Sequence, residues 1–289
     1  MQKDDREALP PRLRREQILA LLEERGFVRV SELSDAFGVS GVTARADLDL
    51  LVDEGIAERV HGGAVPADAA GRRGGAHRLP AREPSFEEAL EASARPKQHI
   101  GELAASLVKS GQSVLLDVGT TTLAVARALK ARADLDELVV VTNGLSIALE
   151  LESAIPRFTV IVTGGALRPL QHSLVDPLAD LVLDRIHADV AFIGCNGVDA
   201  EHGVTNVNLP EAAVKARMLK AAARSVIVAD ASKLGETHLG RIGSIDEFDL
   251  LVTDAAASAR RLDELRGAGL TVVGDRLPTP PPDDFRLDP

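Results

Sequence analysis

Residues 113–122 read Ser-Val-Leu-Leu-Asp-Val-Gly-Thr-Thr-Thr, an apolar run that ends at a carboxylate and a glycine and is followed by three hydroxyls. The run predicts a buried strand, and the hydroxyls stand where the next helix begins. Six further apolar runs alternate with helical stretches along the rest of the chain. They lie near residues 138–141, 159–162, 190–193, 226–229, 250–253 and 271–273. This alternation is typical of an α/β domain with a largely parallel sheet.

Polar and glycine residues follow the ends of these strands. Ligands bind outside the carboxyl ends of the strands in an open parallel sheet, so we expect the loops to meet in one crevice. Backbone N–H groups at a helix N-terminus, together with threonine hydroxyls, make residues 119–122 a candidate phosphate site. The alternative is an ordinary strand-to-helix turn with a threonine cap. The other loops at these strand ends are residues 142–144, 163–165, 194–199 and 230–233.

The first 65 residues follow a different pattern. Apolar residues recur at helical spacing over residues 13–22, which predicts a first helix. Ser31 predicts the N-cap of a second helix that Gly38 ends, and Ser40 the N-cap of a third that runs to about residue 54. The turn between the last two helices is only a few residues long, as a helix-turn-helix requires.

A hairpin is predicted directly after the third helix. Residues 56–60 have a strand pattern, His61-Gly62-Gly63 is a tight turn, and residues 64–65 are the returning strand. Such a hairpin is the wing of a winged helix-turn-helix. Ser40, Thr43 and Arg45 occupy the N-terminal half of the third helix, the half that enters the major groove of duplex DNA. The alternative is a small helical bundle whose charged face is solvated.

Charge and composition limit the partners. The net charge is −11, and residues 1–63 carry nine Lys and Arg against thirteen Asp and Glu. A DNA contact must therefore use a local cationic face, because phosphate binding draws on Lys and Arg. With no Trp, no Tyr and seven Phe, the chain has almost no aromatic platforms for single-stranded nucleic acid. Duplex DNA remains the expected nucleic-acid partner.

Cysteine usage and hydropathy favour an intracellular protein. Cys195 is the only cysteine, and Cys and His form no cluster at metal-ligand spacing. No stretch approaches the roughly 20 consecutive apolar residues of a membrane span. We therefore expect a cytoplasmic protein with no membrane partner, no metal and no cofactor. Cys195 is expected to be a buried structural thiol, and His172 a solvated loop histidine.

Shifts in composition divide the chain into four parts. Residues 10–65 are the predicted winged helix-turn-helix domain, and residues 95–275 are the α/β domain. Residues 66–94 are interpreted as a flexible linker, because their Ala, Gly, Pro and Arg bury too little apolar surface to pack. Residues 276–289 are expected to form a disordered tail.

A signature runs through the whole N-terminal domain. It comprises Ser31-Glu32-Leu33, Phe37, Val39-Ser40, Thr43, Arg45, Asp47-Leu48, Leu51, Gly55 and Arg59-Val60-His61-Gly62-Gly63-Ala64. In this order the residues resemble the DNA-binding domain of the DeoR family. The family pattern has a second arginine where this chain has Ala46, and an aliphatic residue where it has Ala44. The resemblance implies DNA contacts by Ser40, Thr43, Arg45, Arg59 and His61.

A second set of residues runs through the α/β domain. It comprises Asp117, Gly119-Thr120-Thr121, Thr142-Asn143, Gly164-Gly165, Ala188-Asp189, Gly197-Val198-Asp199, Gly203, Glu211, Lys215 and Asp230-Ala231-Ser232-Lys233. The set resembles the DeoR-family sensor domain, which is similar in fold to ribose-5-phosphate isomerase. The predicted fold is thus a small α+β winged helix-turn-helix domain followed by a ribose-5-phosphate-isomerase-like α/β domain with a mostly parallel sheet.

The resemblance implies a ligand site at the strand ends of this domain. Gly119, Thr120 and Thr121 would cradle a phosphate and Lys233 would supply a charge, while Asp199 and Glu211 would face sugar hydroxyls. By spacing alone, Glu211 and Lys215 are an i,i+4 surface ion pair, and only the resemblance places them in the site. The remaining ligand-binding residues that it implies are Asp117, Thr142, Asn143, Gly164, Gly165 and Gly197.

The resemblance implies a DNA-binding transcriptional regulator that represses a sugar catabolic operon and is relieved by a phosphorylated sugar or polyol. Its partners would be double-stranded operator DNA and a second copy of the chain, in a homodimer or tetramer. The alternative is a sugar-phosphate isomerase fused to a DNA-binding domain. Against it, Asn196 stands where the isomerase motif has an aspartate, so one acid–base group is missing. A third alternative is a protein-interaction module that uses the winged domain.

Overall fold

The computed structural model describes residues 10–25, 28–53, 56–60, 63–66 and 83–274. The chain divides into two compact units, Met1–Ala76 and His77–Pro289. The predicted wing residue His61 and the predicted tail, residues 276–289, lie outside the described residues. Within the described residues, the helices are all too short or too polar to cross a membrane.

The N-terminal unit is the predicted winged helix-turn-helix. β3 pairs antiparallel with both β1 and β2, so that β2 and β3 form the wing. Its elements are α1 (Pro11–Arg25), β1 (Val28–Arg29), α2 (Val30–Phe37), α3 (Gly41–Asp53), β2 (Ala57–Val60) and β3 (Gly63–Pro66). A buried apolar core joins all three helices to the sheet. Its members are Ile18, Leu22, Val28, Leu33, Ala44, Leu48, Leu51, Ala57 and Ala64.

The helix boundaries follow the predicted caps with one correction. Ser31 is not the N-cap of α2, because the helix already begins at Val30 and the Glu32 carboxylate accepts a hydrogen bond from the Arg29 backbone N–H at 3.3 Å. Gly38 ends α2 in the left-handed conformation. Ser40 does cap α3, since its Oγ accepts a hydrogen bond from the Thr43 backbone N–H at 3.1 Å.

The C-terminal unit is built on a seven-stranded parallel sheet, as the apolar runs predict. The strand order is β15-β14-β12-β9-β4-β5-β6. Every predicted run forms one of these strands. They are β4 (Ser113–Leu116), β5 (Leu138–Thr142), β6 (Phe158–Val162), β9 (Ala188–Gly194), β12 (Ala222–Val228), β14 (Leu250–Val252) and β15 (Thr271–Val273).

Helices cover both faces of this sheet. Alternate residues of β4 point into two different cores: Val114 and Leu116 join one, and Leu115 joins the other. The first core takes side chains from α5, α6 and α7, and the second from α8, α9 and α10. These helices are α5 (Ala94–Ser106), α6 (Thr120–Ala131), α7 (Leu145–Leu151), α8 (Leu178–Leu183), α9 (Leu209–Lys220) and α10 (Ala259–Gly267). Burial on both faces explains why the strands are continuously apolar.

Two small antiparallel sheets lie beside the main sheet and were not predicted. One is a hairpin of β7 (Ala166–Arg168) and β8 (Ser173–Val175). The other joins β10 (Gly197–Asp199), β11 (Gly203–Asn206) and β13 (Gly240–Gly243). Strands of three or four residues with Gly, Asn and Arg leave no apolar alternation for sequence analysis to detect.

The end of the predicted linker is structured. Residues 83–94 contain α4 (Phe86–Glu91), although their composition led us to include them in the linker. Ser85 and Glu88 form a reciprocal capping box at its start. Phe86 is buried in the same core as α5 and α6, which supplies the apolar burial that the rest of the segment lacks.

Candidate functional site

The carboxyl ends of four neighbouring strands carry most of the predicted ligand residues. The strands β12, β9, β4 and β5 are adjacent in the sheet, so the loops that follow them share one edge. We call the residues of these loops, together with Glu211 and Lys215 of α9, the strand-end cluster. Its contacts divide into a buried ion pair, a buried glutamate, a loop brace and a helix N-terminus.

The ion pair joins Asp117 to Lys215. The Lys215 ammonium contacts the Asp117 carboxylate and also donates hydrogen bonds to the carbonyl oxygens of Val118 at 3.2 Å and Gly194 at 3.0 Å. Asp117 is fully buried, and its carboxylate also accepts a hydrogen bond from the Gly194 backbone N–H at 3.1 Å. Burial raises the pKa of Asp117, and the Lys215 charge acts against that rise. The pair therefore holds the carboxyl ends of β4 and β9 together.

Glu211 is the second buried charge of the cluster, and it does not pair with Lys215. Its Oε1 accepts hydrogen bonds from Ser173 Oγ at 2.6 Å and from Arg168 Nη1 at 2.8 Å. The interpretation of Glu211 and Lys215 as a surface ion pair is therefore wrong, because both are buried and each has another partner. The Glu211 carboxylate thus already accepts hydrogen bonds from two side chains of the protein.

Thr142 and Asn143 hold the loops together. Asn143 is fully buried, and its Oδ1 accepts a hydrogen bond from the Val118 backbone N–H at 2.8 Å while its Nδ2 donates to the Leu174 carbonyl at 3.1 Å. The Thr142 hydroxyl accepts a hydrogen bond from the Gly144 backbone N–H at 3.0 Å. Asn143 therefore ties the loop after β4 to β8, and Thr142 closes the turn after β5.

Helix α6 begins at this edge without a side-chain cap. Gly119 occupies its N-cap position, and the Thr122 hydroxyl donates a hydrogen bond back to the Gly119 carbonyl at 3.0 Å. Gly119 has no side chain to act as a cap, and among the described residues no side chain accepts from the first-turn N–H groups, which lie at the positive end of the helix dipole. Thr120 is nearly buried and Thr121 is half-buried. The predicted phosphate residues thus form a helix N-terminus to which the described part of the chain supplies no side-chain acceptor.

Lys233 and Cys195 lie on the β9 and β12 side of this edge. Lys233 ends a short 3₁₀ turn that the Asp230 carboxylate opens by accepting a hydrogen bond from the Ser232 N–H at 3.0 Å. Burial raises the pKa of the Cys195 thiol to about 12, against the opposing charges of Lys215 and Lys233. Cys195 is therefore a protonated thiol at neutral pH, which agrees with the predicted structural role.

His238 was missed by the sequence analysis. Its Nε2 lies 3.2 Å from the carbonyl oxygen of Asn196, in the loop that follows β9. Its Nδ1 is buried, and the described residues give it no hydrogen-bond partner. Burial lowers the pKa of His238. A lone histidine far along the chain carries no sequence signal for such a position.

Asp199 has a different role from the one the resemblance implies. Its Oδ1 accepts hydrogen bonds from the backbone N–H groups of Glu201 at 3.0 Å and His202 at 2.9 Å, and lies 2.8 Å from His202 Nδ1. Burial works to raise the pKa of Asp199, but the hydrogen bonds from His202 and Glu201 hold it below its ordinary value. Through Oδ1 the carboxylate closes the turn between β10 and β11, a structural role that the resemblance did not imply.

The predicted glycines serve close backbone approaches. A Cβ on Gly165 would stand 2.3 Å from the carbonyl oxygen of Val175, and one on Gly197 would stand 2.2 Å from that of Glu236. Gly164 has a positive φ of 74°. Gly164 and Gly165 thus let the β7–β8 hairpin return closely to its own start.

That hairpin clamps the segment that precedes α5. Arg168 makes a two-point ion pair with Glu83 as well as its bond to Glu211. Gln171 donates a hydrogen bond to the Pro84 carbonyl at 2.7 Å. His172 stacks on Phe86 with ring centroids 5.0 Å apart and bonds Ser146 Oγ through Nδ1 at 2.8 Å. His172 is therefore a loop histidine with a side chain that is 38% exposed, as expected in part, but it also packs on Phe86 and bonds Ser146.

A buried lysine fixes α4 against α5 in the same segment. The Lys97 ammonium donates hydrogen bonds to the carbonyl oxygens of Ala89 at 2.5 Å and Ala92 at 2.7 Å, at the end of α4. Burial lowers the pKa of Lys97, and the nearby charge of Lys233 lowers it further. Lys97 thereby donates hydrogen bonds at the C-terminal end of α4, where the last carbonyl groups of a helix have no partner within the helix.

In the N-terminal unit, the predicted DNA-binding residues gather at the start of α3. The hydroxyls of Ser40 and Thr43 lie 2.9 Å apart, and Arg45 is exposed on the same turn of the helix. The Arg45 Nη1 would lie 3.9 Å from a Cβ built on Gly41, so the guanidinium reaches back to the N-terminal end. Arg59 is a residue of β2 in the wing.

Asp47, which belongs to the signature of this helix, points the other way. Its carboxylate accepts hydrogen bonds from Arg14 Nε at 2.5 Å and Nη2 at 3.2 Å. The side chains of Arg14 and Asp47 are only 6% and 5% exposed. The ion pair fixes α3 against α1, so Asp47 supports the DNA-binding surface from inside.

Comparison with known proteins covers both units. A sequence model described as the DeoR-like helix-turn-helix domain matches residues 14–69, and one described as the DeoR C terminal sensor domain matches residues 92–255. Among solved structures, ribose 5-phosphate isomerase A of Methanocaldococcus jannaschii is similar to 49% of this chain and 55% of its own, with 17% identity and a TM-score of 0.37. A likeness that distant carries no functional argument.

Relatives match along almost their whole length, and they are regulators by name. The HTH-type transcriptional regulator GlpR of Haloferax volcanii is 37% identical over 91% of this chain and 97% of its own. The regulator GolR of Listeria innocua is 31% identical over 90% and 96%, and the repressor CsqR of Escherichia coli K12 is 28% identical over 90% and 94%. The chain belongs to the DeoR family of helix-turn-helix transcriptional regulators.

Proposed function

We propose that this regulator represses a sugar catabolic operon and releases its operator when a phosphorylated sugar or polyol binds at the strand-end cluster. The observation that carries the proposal is the N-terminus of α6, which lies at the carboxyl edge of a parallel sheet and has no side-chain cap. A phosphate group supplies the acceptor oxygens that these N–H groups lack.

Each buried carboxylate near this edge has a cationic partner. Asp117 pairs with Lys215, and Glu211 shares the Arg168 guanidinium with Glu83. Lys233 adds a cation on the far side of the cluster, where its charge reaches Cys195. Thr120 and Thr121 are the first two residues of α6, and in this proposal their hydroxyls donate to the phosphate oxygens.

The same contacts argue against an isomerase. Proton transfer on a sugar phosphate needs a general base within hydrogen-bond reach of the substrate, and the isomerase hypothesis assigns that role to carboxylates. Here the carboxylate of Asp117 is paired with Lys215, that of Glu211 with Arg168, and that of Asp199 with its own turn. These side chains serve the shape of the site, which agrees with relatives that are regulators.

A physical connection leads from the cluster to the segment that precedes α5. Arg168 bonds Glu211 at one end and Glu83 at the other, and the rest of the β7–β8 hairpin holds Pro84 and Phe86. We propose that effector binding shifts this hairpin, and that residues 83–86 carry the shift toward the DNA-binding unit. Coupling between two such sites is typically worth 5- to 150-fold in affinity.

The DNA-bound form is proposed to be a homodimer or tetramer on a repeated or palindromic operator. Two copies of α3 can then occupy successive major grooves on one side of the duplex. Sedimentation of the protein alone and with operator DNA tests this arrangement. A monomer bound to a single half-site would refute it.

The decisive experiment is a gel-shift titration on the DNA upstream of the protein's own gene, at two salt concentrations and with a panel of sugar phosphates. Release by one compound, together with salt-sensitive binding, supports the proposal. Thr120→Ala and Lys233→Ala should lose the response to that compound but keep DNA affinity. Lys220→Ala, at the opposite end of α9, is the matched control and should respond as the wild type does. Unchanged calorimetric binding of the compound by both site variants would refute the assignment of the site.

A further inference from the structure

Helix α3 presents an apolar strip on its exposed side. Val42, Arg45, Ala46 and Asp49 are exposed and recur at the spacing of one helix face. Val42 is 73% exposed, the most of any large apolar side chain among the described residues. Val42 and Ala46 stand one turn apart, beside Arg45. A β-branched residue loses rotamer freedom in a helix and gains no burial here within the unit.

The rotation of α3 about its axis is fixed from the opposite side. Ala44, Leu48 and Leu51 are buried in the core of the unit. The Asp47 carboxylate is held by the Arg14 guanidinium. The core and the ion pair both hold the face of α3 that carries Ala44, Asp47 and Leu48 toward the inside of the unit. Val42 and Ala46 are therefore fixed on the outward face of the helix.

The strip lies at the end of α3 that carries its polar groups. The Ser40 hydroxyl caps the helix start and lies 2.9 Å from the Thr43 hydroxyl, and the Arg45 guanidinium reaches back toward Gly41. Helix side chains lean toward the N-terminus, so the methyl groups of Val42 and Ala46 point toward the same end. A recognition helix places that end against base edges.

We propose that Val42 and Ala46 form a methyl-reading pair that packs on the C5-methyl groups of thymines in the operator, beside the base or phosphate bound by Arg45. Thymine is the base that offers an apolar group in the major groove, and small apolar side chains are its usual partners. The inference rests on the proposed binding of duplex DNA. Val42 and Ala46 would then determine which operator sequence the protein prefers. Ala46 stands where the family pattern has its second arginine.

The test uses full-length protein and a duplex that this protein itself selects from a randomised library. Each thymine of the selected site is replaced in turn by deoxyuridine, which removes the methyl group and keeps the base pair. The wild type should lose affinity roughly fourfold at each contacted thymine, the effect of one methyl group returned to water. Replacements elsewhere in the site should have no effect.

Two variants assign the effect to the strip. Val42→Ala keeps the helix, because alanine has the highest helix propensity, and should bind the thymine duplex more weakly while losing its sensitivity to uracil at the same positions. Leu13→Ala shortens another exposed apolar side chain, on α1 of the same unit, and should retain the full sensitivity. If Val42→Ala and a uracil replacement together weaken binding by less than the sum of their separate effects, Val42 contacts that methyl group directly.

The outcomes separate this inference from the proposed function. Uracil replacements that all change the wild-type affinity less than about twofold would overturn the methyl-reading pair while DNA binding stands. The same holds if Val42→Ala keeps the wild-type response at every position. A protein that selects no duplex at all would refute both proposals.

Discussion

Replacement of Asp47 by alanine is expected to destabilise the N-terminal unit. Any loss of DNA binding should then result from unfolding and not from a lost base contact. Removing one partner of a buried ion pair leaves the other charge uncompensated and costs roughly 3–5 kcal/mol. Arg14 and Asp47 qualify, since both side chains are almost fully buried and share two hydrogen bonds. A unit of this size has a total stability of roughly 3–9 kcal/mol, so Asp47→Ala removes much or all of it.

Calorimetry on the full-length chain measures this loss, since the sequence contains no Trp or Tyr to serve as a fluorescent probe. The transition of the N-terminal unit should fall by more than about 10 °C, while that of the C-terminal unit stays in place. DNA affinity should fall with the folded fraction and recover on cooling.

A paired replacement is the control. Arg14→Met combined with Asp47→Leu removes both charges and fills their volume with apolar atoms, which is often neutral or stabilising. The double variant should therefore melt close to the wild type. An Asp47→Ala protein with an unchanged transition and no DNA binding would refute the argument and make Asp47 a DNA contact.

Three further predictions concern the C-terminal unit. Gln171→Ala frees the Pro84 carbonyl from the hairpin without leaving a buried charge unpaired, so effector and DNA binding should each stay within about threefold while the effect of one on the other weakens. The measurement is the shift in operator affinity with saturating effector, and undiminished coupling would count against the hairpin as the connection. Burial lowers the pKa of His238 in the folded protein, so His238 is protonated more readily in the unfolded chain as the pH falls through about 6.5. The free energy of unfolding should therefore decrease toward pH 5.5. His238→Gln should lessen that drop in denaturant titrations, and an identical pH profile would contradict this. Gly165→Ala should lower the melting temperature, because the new Cβ would stand 2.3 Å from a carbonyl oxygen. Gly267→Ala is the control and should not lower it, because the space around Gly267 is open. Equal effects of the two variants would refute the close approach at Gly165.

Much of the fold was predictable because burial leaves a periodic trace in the sequence. Each apolar run became a strand of the parallel sheet, since strands buried on both faces must be apolar throughout. The caps at Gly38 and Ser40 located the helix-turn-helix. The β7–β8 hairpin and α4 left no such trace, because their contacts are made by single residues far apart in the chain.

The grouping of the candidate site residues was predictable, but their pairings were not. Polar residues after the strands do share one edge of the sheet, but spacing could not show which carboxylate meets which cation. Glu211 and Lys215 stand one turn apart and yet bind Arg168 and Asp117, which are distant in sequence. Only the fold brings these partners together.

The buried contacts of Lys97 set a limit on how this sensor can be transplanted. A fusion protein that joins a foreign DNA-binding domain at residue 95 would discard α4 and with it the carbonyl oxygens of Ala89 and Ala92. The Lys97 ammonium would lose both acceptors, Phe86 would be missing from the core, and Arg168 would lose Glu83. A working chimera must therefore begin at or before Glu83, so that the sensor carries its own clamp with it.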